Sequence, residues 1–443
     1  MIRGQSFGLS ATARLALVQR LARRREGQNV QAARDPRGFG SIPNLKDWGL
    51  MRDAMEALGL ESPFFRAHEG RAGARTAIAG RELINFGSYD YLGLNGDARL
   101  QAAAAAAMAR YGISASASRL VSGERPVHAA FEAALAAHYG AEAALVFVSG
   151  HATNVTLIGH LMGPRDAIVH DAAIHNSAVE GARLSGARRA PFAHNDLAAA
   201  ERELKAVRAR GAGAQRVLLV VEGHYSMDGD VPDLAGFVRL ARQYDAWLMV
   251  DDAHGLGVVG QTGKGAFEAA GIDPSDVDIW MGTLSKTLCA CGGYVAAKAE
   301  LIDWLRHTAP GFVYSVGLPP ALAASAHVAL DILQAEPWRV AKLQANARRL
   351  RDACRARGFD TGQSAGLGIV PVVLGSSVRA IRVSAALLER GVNALPIIFP
   401  AVPEQAARLR FFVSAEHEDA DIDAAADALV AAADSVPASD SLG

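Results

Sequence analysis

The stretches Trp247-Leu-Met-Val-Asp-Asp-Ala-His254 and Ile279-Trp-Met-Gly-Thr-Leu-Ser-Lys286 share one design, a short apolar run that stops at side chains able to do chemistry. Val217-Leu-Leu-Val-Val-Glu-Gly-His-Tyr-Ser226 repeats it. Runs this short, bounded by turn residues and separated by Ala-rich helical stretches, read as buried parallel strands. Further runs at 144–148 and 167–170 extend the set. The sequence therefore predicts an α/β fold with a large, mainly parallel sheet covered by helices. Open sheets of this kind bind ligands beyond the carboxyl ends of their strands. Neighbouring strand ends would then bring acid, imidazole and amine to one crevice.

Outward from this core, residues 98–320 read as the large domain and 321–443 as a smaller α+β domain. The smaller domain has apolar runs at 369–374, 394–399 and 409–413, a helix over 381–390 and a last amphipathic helix over 419–433. The polar tail 435–443 has no pattern that would fix it. Residues 1–97 read as an N-terminal arm and linker, with helical stretches at 11–25 and 45–58. The first carries Arg14, Arg20, Arg23, Arg24 and Arg25 without an acidic residue. It suits a solvated helix, a docking surface for an acidic partner, or an organelle presequence.

Composition narrows the function. A formal net charge of -1, from 45 basic and 46 acidic residues, gives no global field for nucleic acid or an anionic membrane surface. A small-molecule substrate fits better. No apolar run reaches the roughly 20 residues of a membrane span, and the N-terminus has no secretory apolar core. Three cysteines, at 289, 291 and 354, form neither a disulfide framework nor a zinc set, which predicts a cytoplasmic setting.

Lys286 stands out because the chain has only six lysines against 39 arginines. An arginine cannot form a Schiff base, whereas a lysine can, and it can carry a proton once its pKa is lowered. Thr283 and Ser285 beside it are suited to hold a phosphate. Asp251, at the end of an apolar strand, needs a cationic partner to be buried. A protonated pyridine nitrogen would serve, keeping the ring an electron sink. His254 is placed to donate to the ring oxygen. Ser149-Gly150-His151-Ala-Thr-Asn154 reads as a turn into a helix start, whose free N–H groups bind phosphate. His175 is a second candidate imidazole. Cys289 and Cys291 read as small packing residues.

From residue 83 to 417 the chain resembles the α-oxoamine synthase family of fold-type I pyridoxal 5'-phosphate (PLP) enzymes. The resemblance rests on Ser88-Tyr-Asp-Tyr-Leu-Gly-Leu94, Phe192-Ala-His-Asn-Asp196, Glu222-Gly-His-Tyr-Ser-Met-Asp-Gly229, Asp251-Asp-Ala-His-Gly-Leu-Gly257, Gly282-Thr-Leu-Ser-Lys286 and Arg408-Leu-Arg-Phe-Phe-Val-Ser-Ala-Glu-His417, in that order. It implies PLP as cofactor, Lys286 as Schiff-base lysine, Asp251 at the pyridine nitrogen, His254 at the ring oxygen and His175 stacked on the ring. It also implies that Gly150, His151, Thr283 and Ser285 hold the phosphate, that Ser226 lies near the ring oxygen with Glu222 behind it, and that Arg410 grips an amino-acid carboxylate. Ser315 would reach the phosphate of a neighbouring subunit in a homodimer with shared sites. The implied reaction joins an amino acid to an acyl thioester, from CoA or an acyl carrier protein, with loss of carbon dioxide. Tyr89, at a substrate position where several members have Asn, favours the serine palmitoyltransferase-like branch over 8-amino-7-oxononanoate synthase or 2-amino-3-ketobutyrate CoA ligase. An aminotransferase or aldolase of the same fold would share Asp251 and Lys286.

Overall fold

The computed structural model describes residues 58–209 and 214–436, with isolated positions between 38 and 56. The basic stretch 11–25 and the tail 437–443 lie outside the described residues. The first strands among the described residues form a hairpin, β1 (Arg75–Ile78) and β2 (Arg81–Asn85). Ala79 and Gly80 turn it with φ of 51° and 70°, the doubly left-handed turn that matches strand twist.

Seven strands make the main sheet: β3 (Ala143–Phe147), β4 (Ala167–Asp171), β5 (Arg188–Phe192), β6 (Val217–Glu222), β7 (Trp247–Asp251), β8 (Ile279–Thr283) and β9 (Gly293–Ala297). Their order is β3-β9-β8-β7-β6-β4-β5. β9 is antiparallel to both its neighbours, so β3 runs in the same direction as β8. The remaining pairs are parallel. Side chains alternate along each strand. Leu219, Val221, Leu248 and Val250 pack into one core, and Leu218, Val220, Met249 and Met281 into a second on the opposite face. Burial on both faces is why these strands read as unbroken apolar runs. Truncating one such residue to alanine costs about 2–5 kcal/mol, transfer and cavity terms together.

The smaller sheets complete the scaffold. β10 (Ile369–Val373), β11 (Val392–Asn393), β12 (Leu395–Ile397) and β13 (Arg408–Phe412) follow the long helices Pro320–Ala335 and Trp338–Ala356. β10, β13 and β12 form one antiparallel sheet, backed by helices Trp338–Ala356 and Ser377–Glu389, on which the last helix, Asp419–Asp434, packs in turn. β11 instead runs parallel to β2, with Val392 opposite Ile84 and Asn393 opposite Asn85. The hairpin that precedes the large sheet is thereby stitched to the far end of the chain.

Candidate active site

The carboxyl ends of β6, β7 and β8 open into a crevice of about 340 Å³, within the usual range for small-molecule sites. Lys286, Asp251, His254, His175, Glu222, Ser226, Gly150, His151, Thr283, Ser285, Tyr89 and Arg410 all line it. Residues drawn from positions 89 to 410 thus meet in one place.

One end is built for an anion. Helix Gly150–Leu161 starts at the crevice, with Ser149 capping it by accepting from the Ala152 N–H at 3.3 Å. A Cβ at Gly150 would stand 2.7 Å from Thr283 Oγ1, so only glycine lets the helix start approach β8. Thr283 Oγ1 and Ser285 Oγ lie 2.8 Å apart beside those amides. Hydroxyls and first-turn N–H groups converging there make an oxyanion cradle.

The opposite wall carries the acid. Asp251 Oδ2 accepts from Asn154 Nδ2 at 2.7 Å and Oδ1 from the Ala253 N–H at 3.1 Å. Asn154 Nδ2 also donates to Ser177 Oγ at 3.0 Å, while Asn154 Oδ1 is buried without a partner. Asn154 closes the Ser149–Asn154 motif, where sequence gave it no role, and Ser177 was not singled out. The available signal was spacing, since Asn154 sits one helical turn beyond Gly150 and on the same face. The neighbouring Asp252 turns away into the core, where Tyr139 donates to it at 3.2 Å. Burial pushes its carboxyl well above the ordinary range.

Lys286 is half-buried at the crevice floor, and desolvation lowers its ammonium to about 8 even though Asp251 and Glu222 pull the other way. Its Nζ lies 5.9 Å from the centre of the Tyr89 ring. Tyr89 packs edge-on against Phe412 at 4.6 Å, which fixes it at the crevice mouth. Burial holds the His254 imidazole well below its usual value, and Lys286 adds to this. Its Nδ1 pairs with the Tyr91 hydroxyl at 2.8 Å. His175 caps helix Asn176–Ser185, and its own N–H donates to Glu222 Oε1 at 2.6 Å. Burial, then the nearby charge of Asp251, pushes Glu222 well above the carboxylate range. Arg410 Nη1 donates to the Ser226 carbonyl at 2.9 Å, and its buried Nε has no partner.

Ser315, expected to serve a neighbouring subunit's site, lies outside this crevice, half-buried beside a narrow cleft formed by Arg119, Phe147 and Phe312. One sequence expectation is corrected. Cys291 is not a packing residue, since it is exposed and belongs to the crevice wall, whereas Cys289 is half-buried with its Sγ 3.5 Å from Asp90 Oδ1.

Comparison with known proteins places this geometry. A family model described as aminotransferase class I and II matches residues 81–429. The 8-amino-7-oxononanoate synthase of Geobacter sulfurreducens is 41% identical over 392 residues, covering 88% of this chain and 96% of its own. That of Methylobacterium sp. (strain 4-46) is 45% identical over 358 residues, with 81% and 89% covered. The solved serine palmitoyltransferase of Sphingomonas wittichii superposes with a TM-score of 0.84 at 30% identity, covering 90% of this chain and 100% of that one. The sequence relatives thus carry the name that Tyr89 argued against, and the solved structure the name it favoured. Both names fall within one reaction class, and the chain belongs to the aminotransferase class I and II family and, within it, to the α-oxoamine synthases.

Proposed function

We propose that this chain uses PLP to condense a small amino acid with an acyl thioester, releasing carbon dioxide and an α-amino ketone. The observation that carries the reading is that Lys286, Asp251 and Arg410 line one cavity, an amine, a carboxylate and a guanidinium around space for a single ring.

The residues fit the cofactor. The cradle at Gly150, His151, Thr283 and Ser285 would take its phosphate, and Asp251, oriented by Asn154, its pyridine nitrogen. Ser226 and His254 would serve the ring oxygen, with the Tyr91 hydroxyl donating to His254 Nδ1 so that Nε2 carries the proton. His175 would lie on the ring face, with Glu222 behind it. When bound, PLP supplies an electron sink for the negative charge left at the amino-acid Cα.

The protein's part is positioning and proton transfer. Arg410 grips the amino-acid carboxylate in a bidentate contact, exchanging its hold on the Ser226 carbonyl for a stronger, charge-assisted one. Fixing that carboxylate aligns the Cα–H bond, and orientation of this kind is worth several kcal/mol of barrier. Lys286, depressed to about 8, takes the Cα proton near neutral pH, where an ordinary lysine stays charged. His175 stands by the incoming thioester carbonyl and supplies a proton as the thiol leaves. The carboxylate then departs as carbon dioxide.

An uncharged acyl chain, as in the serine palmitoyltransferase branch, is favoured because, among the described residues, Lys286 and Arg410 are the Lys and Arg side chains lining the cavity, and both are committed. The second reading rests on the 41% and 45% identities. The name 8-amino-7-oxononanoate requires an alanine-derived end joined to a seven-carbon acyl chain with a terminal carboxylate. The acyl carrier remains either CoA or an acyl carrier protein. A homodimer with shared sites is part of the proposal: Tyr314, next to Ser315, is 87% exposed, and Ser315 would reach the partner's phosphate. Carbon dioxide release, measured with glycine, alanine and serine against palmitoyl and ω-carboxyhexanoyl thioesters on both carriers, tests these assignments. Thioester-independent release, or turnover by Lys286→Ala, would refute the mechanism.

A further inference from the structure

The motif Phe192-Ala-His-Asn-Asp196 has no member in the crevice wall. Asp196 is accounted for as the cap of helix Leu197–Arg208, accepting from the Ala199 N–H at 2.8 Å. His194 is not explained by that cap. Its Nδ1 lies 2.9 Å from Asp171 Oδ1 and its Nε2 3.0 Å from Asp230 Oδ2. Both carboxylates are buried. Tyr225, against whose ring His194 stands edge-on at 4.4 Å, donates its hydroxyl to Asp171 Oδ2 at 3.0 Å. Asn195, in the left-handed region at φ 53°, donates its N–H to Asp171 Oδ2 and its side-chain amide to Asp230.

The two carboxylates belong to two segments that build the crevice. Asp171 ends β4 and accepts from the Ala173 N–H in the turn that leads to His175. Asp230 closes the loop 225–230, its carbonyl accepting from the Tyr225 N–H at 3.0 Å and from His224 Nδ1 at 3.0 Å. The same loop supplies the Ser226 carbonyl to Arg410, and Asp228 Oδ1 to Arg408 at 2.6 Å. At Gly229, with φ 71°, an added Cβ would stand 2.5 Å from the Ile369 carbonyl, so the loop is pressed against β10.

We propose that His194 is a positioning residue whose ring bridges Asp171 and Asp230, locks the loop 225–230, and thereby sets where Arg410 waits for the amino-acid carboxylate. An imidazole held between two carboxylates stays protonated, which supports the same geometry, because its hydrogen bonds to Asp171 and Asp230 raise it to about 10. A protonated imidazole presents two opposed N–H donors on a short, rigid ring, which suits this bridge. His194 touches neither substrate nor cofactor and acts through the loop alone.

The inference rests on the reading of Arg410 as the carboxylate's partner, and the test separates the two. His194→Gln keeps an amide donor for one carboxylate but removes the positive charge from both. In the PLP-loaded enzyme the KM for the amino acid should rise about tenfold, with kcat and the KM for the thioester changed by less than about threefold, the signature of lost ground-state positioning. Titrating the amino acid by its effect on cofactor absorbance should show the same weakening without turnover. Asp230→Asn, which keeps the ring and the volume, should shift the amino-acid KM in the same direction and serves if the glutamine variant does not fold. Wild-type amino-acid affinity in a folded variant overturns the proposal. If wild-type enzyme binds amino acid yet accepts no thioester, the condensation reading fails while the titration still decides the role of His194.

Discussion

Capture of the cofactor by Lys286 is the most direct way to test the electrostatics of the crevice. Only a neutral amine attacks an aldehyde. With its value lowered to about 8, Lys286 is neutral in roughly a tenth of molecules at pH 7, against roughly 0.03% for a lysine at its ordinary value of 10.5. The ratio is roughly 300-fold, so cofactor-free enzyme should capture PLP with a pH midpoint near 8 while Nα-acetyl-lysine follows its own amine. Burial drives the shift, and Asp251 opposes it. Asp251→Asn should therefore lower the midpoint further, by about one pH unit, the scale of one neighbouring charge. The assay is stopped-flow absorbance of the coloured adduct from pH 6 to 10, compared with the free amine measured identically. The midpoint is read apart from the plateau, so weaker overall binding in the variant does not confuse it. A wild-type midpoint near 10.5, or a shift upward in Asp251→Asn, would refute the reasoning.

Other consequences are simpler to state. Gly150→Ala should fold but lose most PLP affinity, because its Cβ meets Thr283 2.7 Å away and pushes the anion cradle apart; equilibrium dialysis would measure it. Asn154→Ala leaves Asp251 Oδ2 without its amide donor and should weaken PLP binding about tenfold, the effect of one buried charge-assisted hydrogen bond of about 1.5–3 kcal/mol partly replaced by water. His194 has a folded value of about 10, above its usual 6.5. Its stabilisation is therefore complete below about pH 6.5 and fades as pH rises through about 10. The melting temperature should show that alkaline loss in the wild type and a flatter profile in His194→Gln.

The sequence was legible where physics is local and repetitive. Runs such as Val217–Glu222 betray themselves because both faces of a central strand are apolar. Strand β5 did not, since Arg188, Arg189 and Pro191 are exposed on an edge where half the pattern is solvent. β9 was also passed over: Gly293-Tyr-Val-Ala-Ala297 follows a Cys-Gly-Gly run that reads as loop, and its antiparallel direction is set only by pairing with β3 and β8. Lys286 and Asp251 could be singled out because each is chemically conspicuous in its local setting, whereas Arg410, one of 39 arginines, was legible only through the family resemblance. The partners that orient them could not. Asn154 and Tyr91 are common residue types whose importance lies in a contact, 97 residues from Asp251 and 163 from His254 respectively.

The parallel pairing of β2 with β11 carries a cost during synthesis. Ile84 leaves the ribosome long before Val392, its neighbour in the sheet, exists. The β2 edge must wait unpaired for most of translation, and such waiting edges invite association with other chains. Arg410 emerges later still, so a nascent chain holding Lys286 and Asp251 lacks the side chain proposed to recognise its substrate. Expression should accordingly respond more to holdase chaperones and low temperature than the tightly packed central sheet alone would suggest.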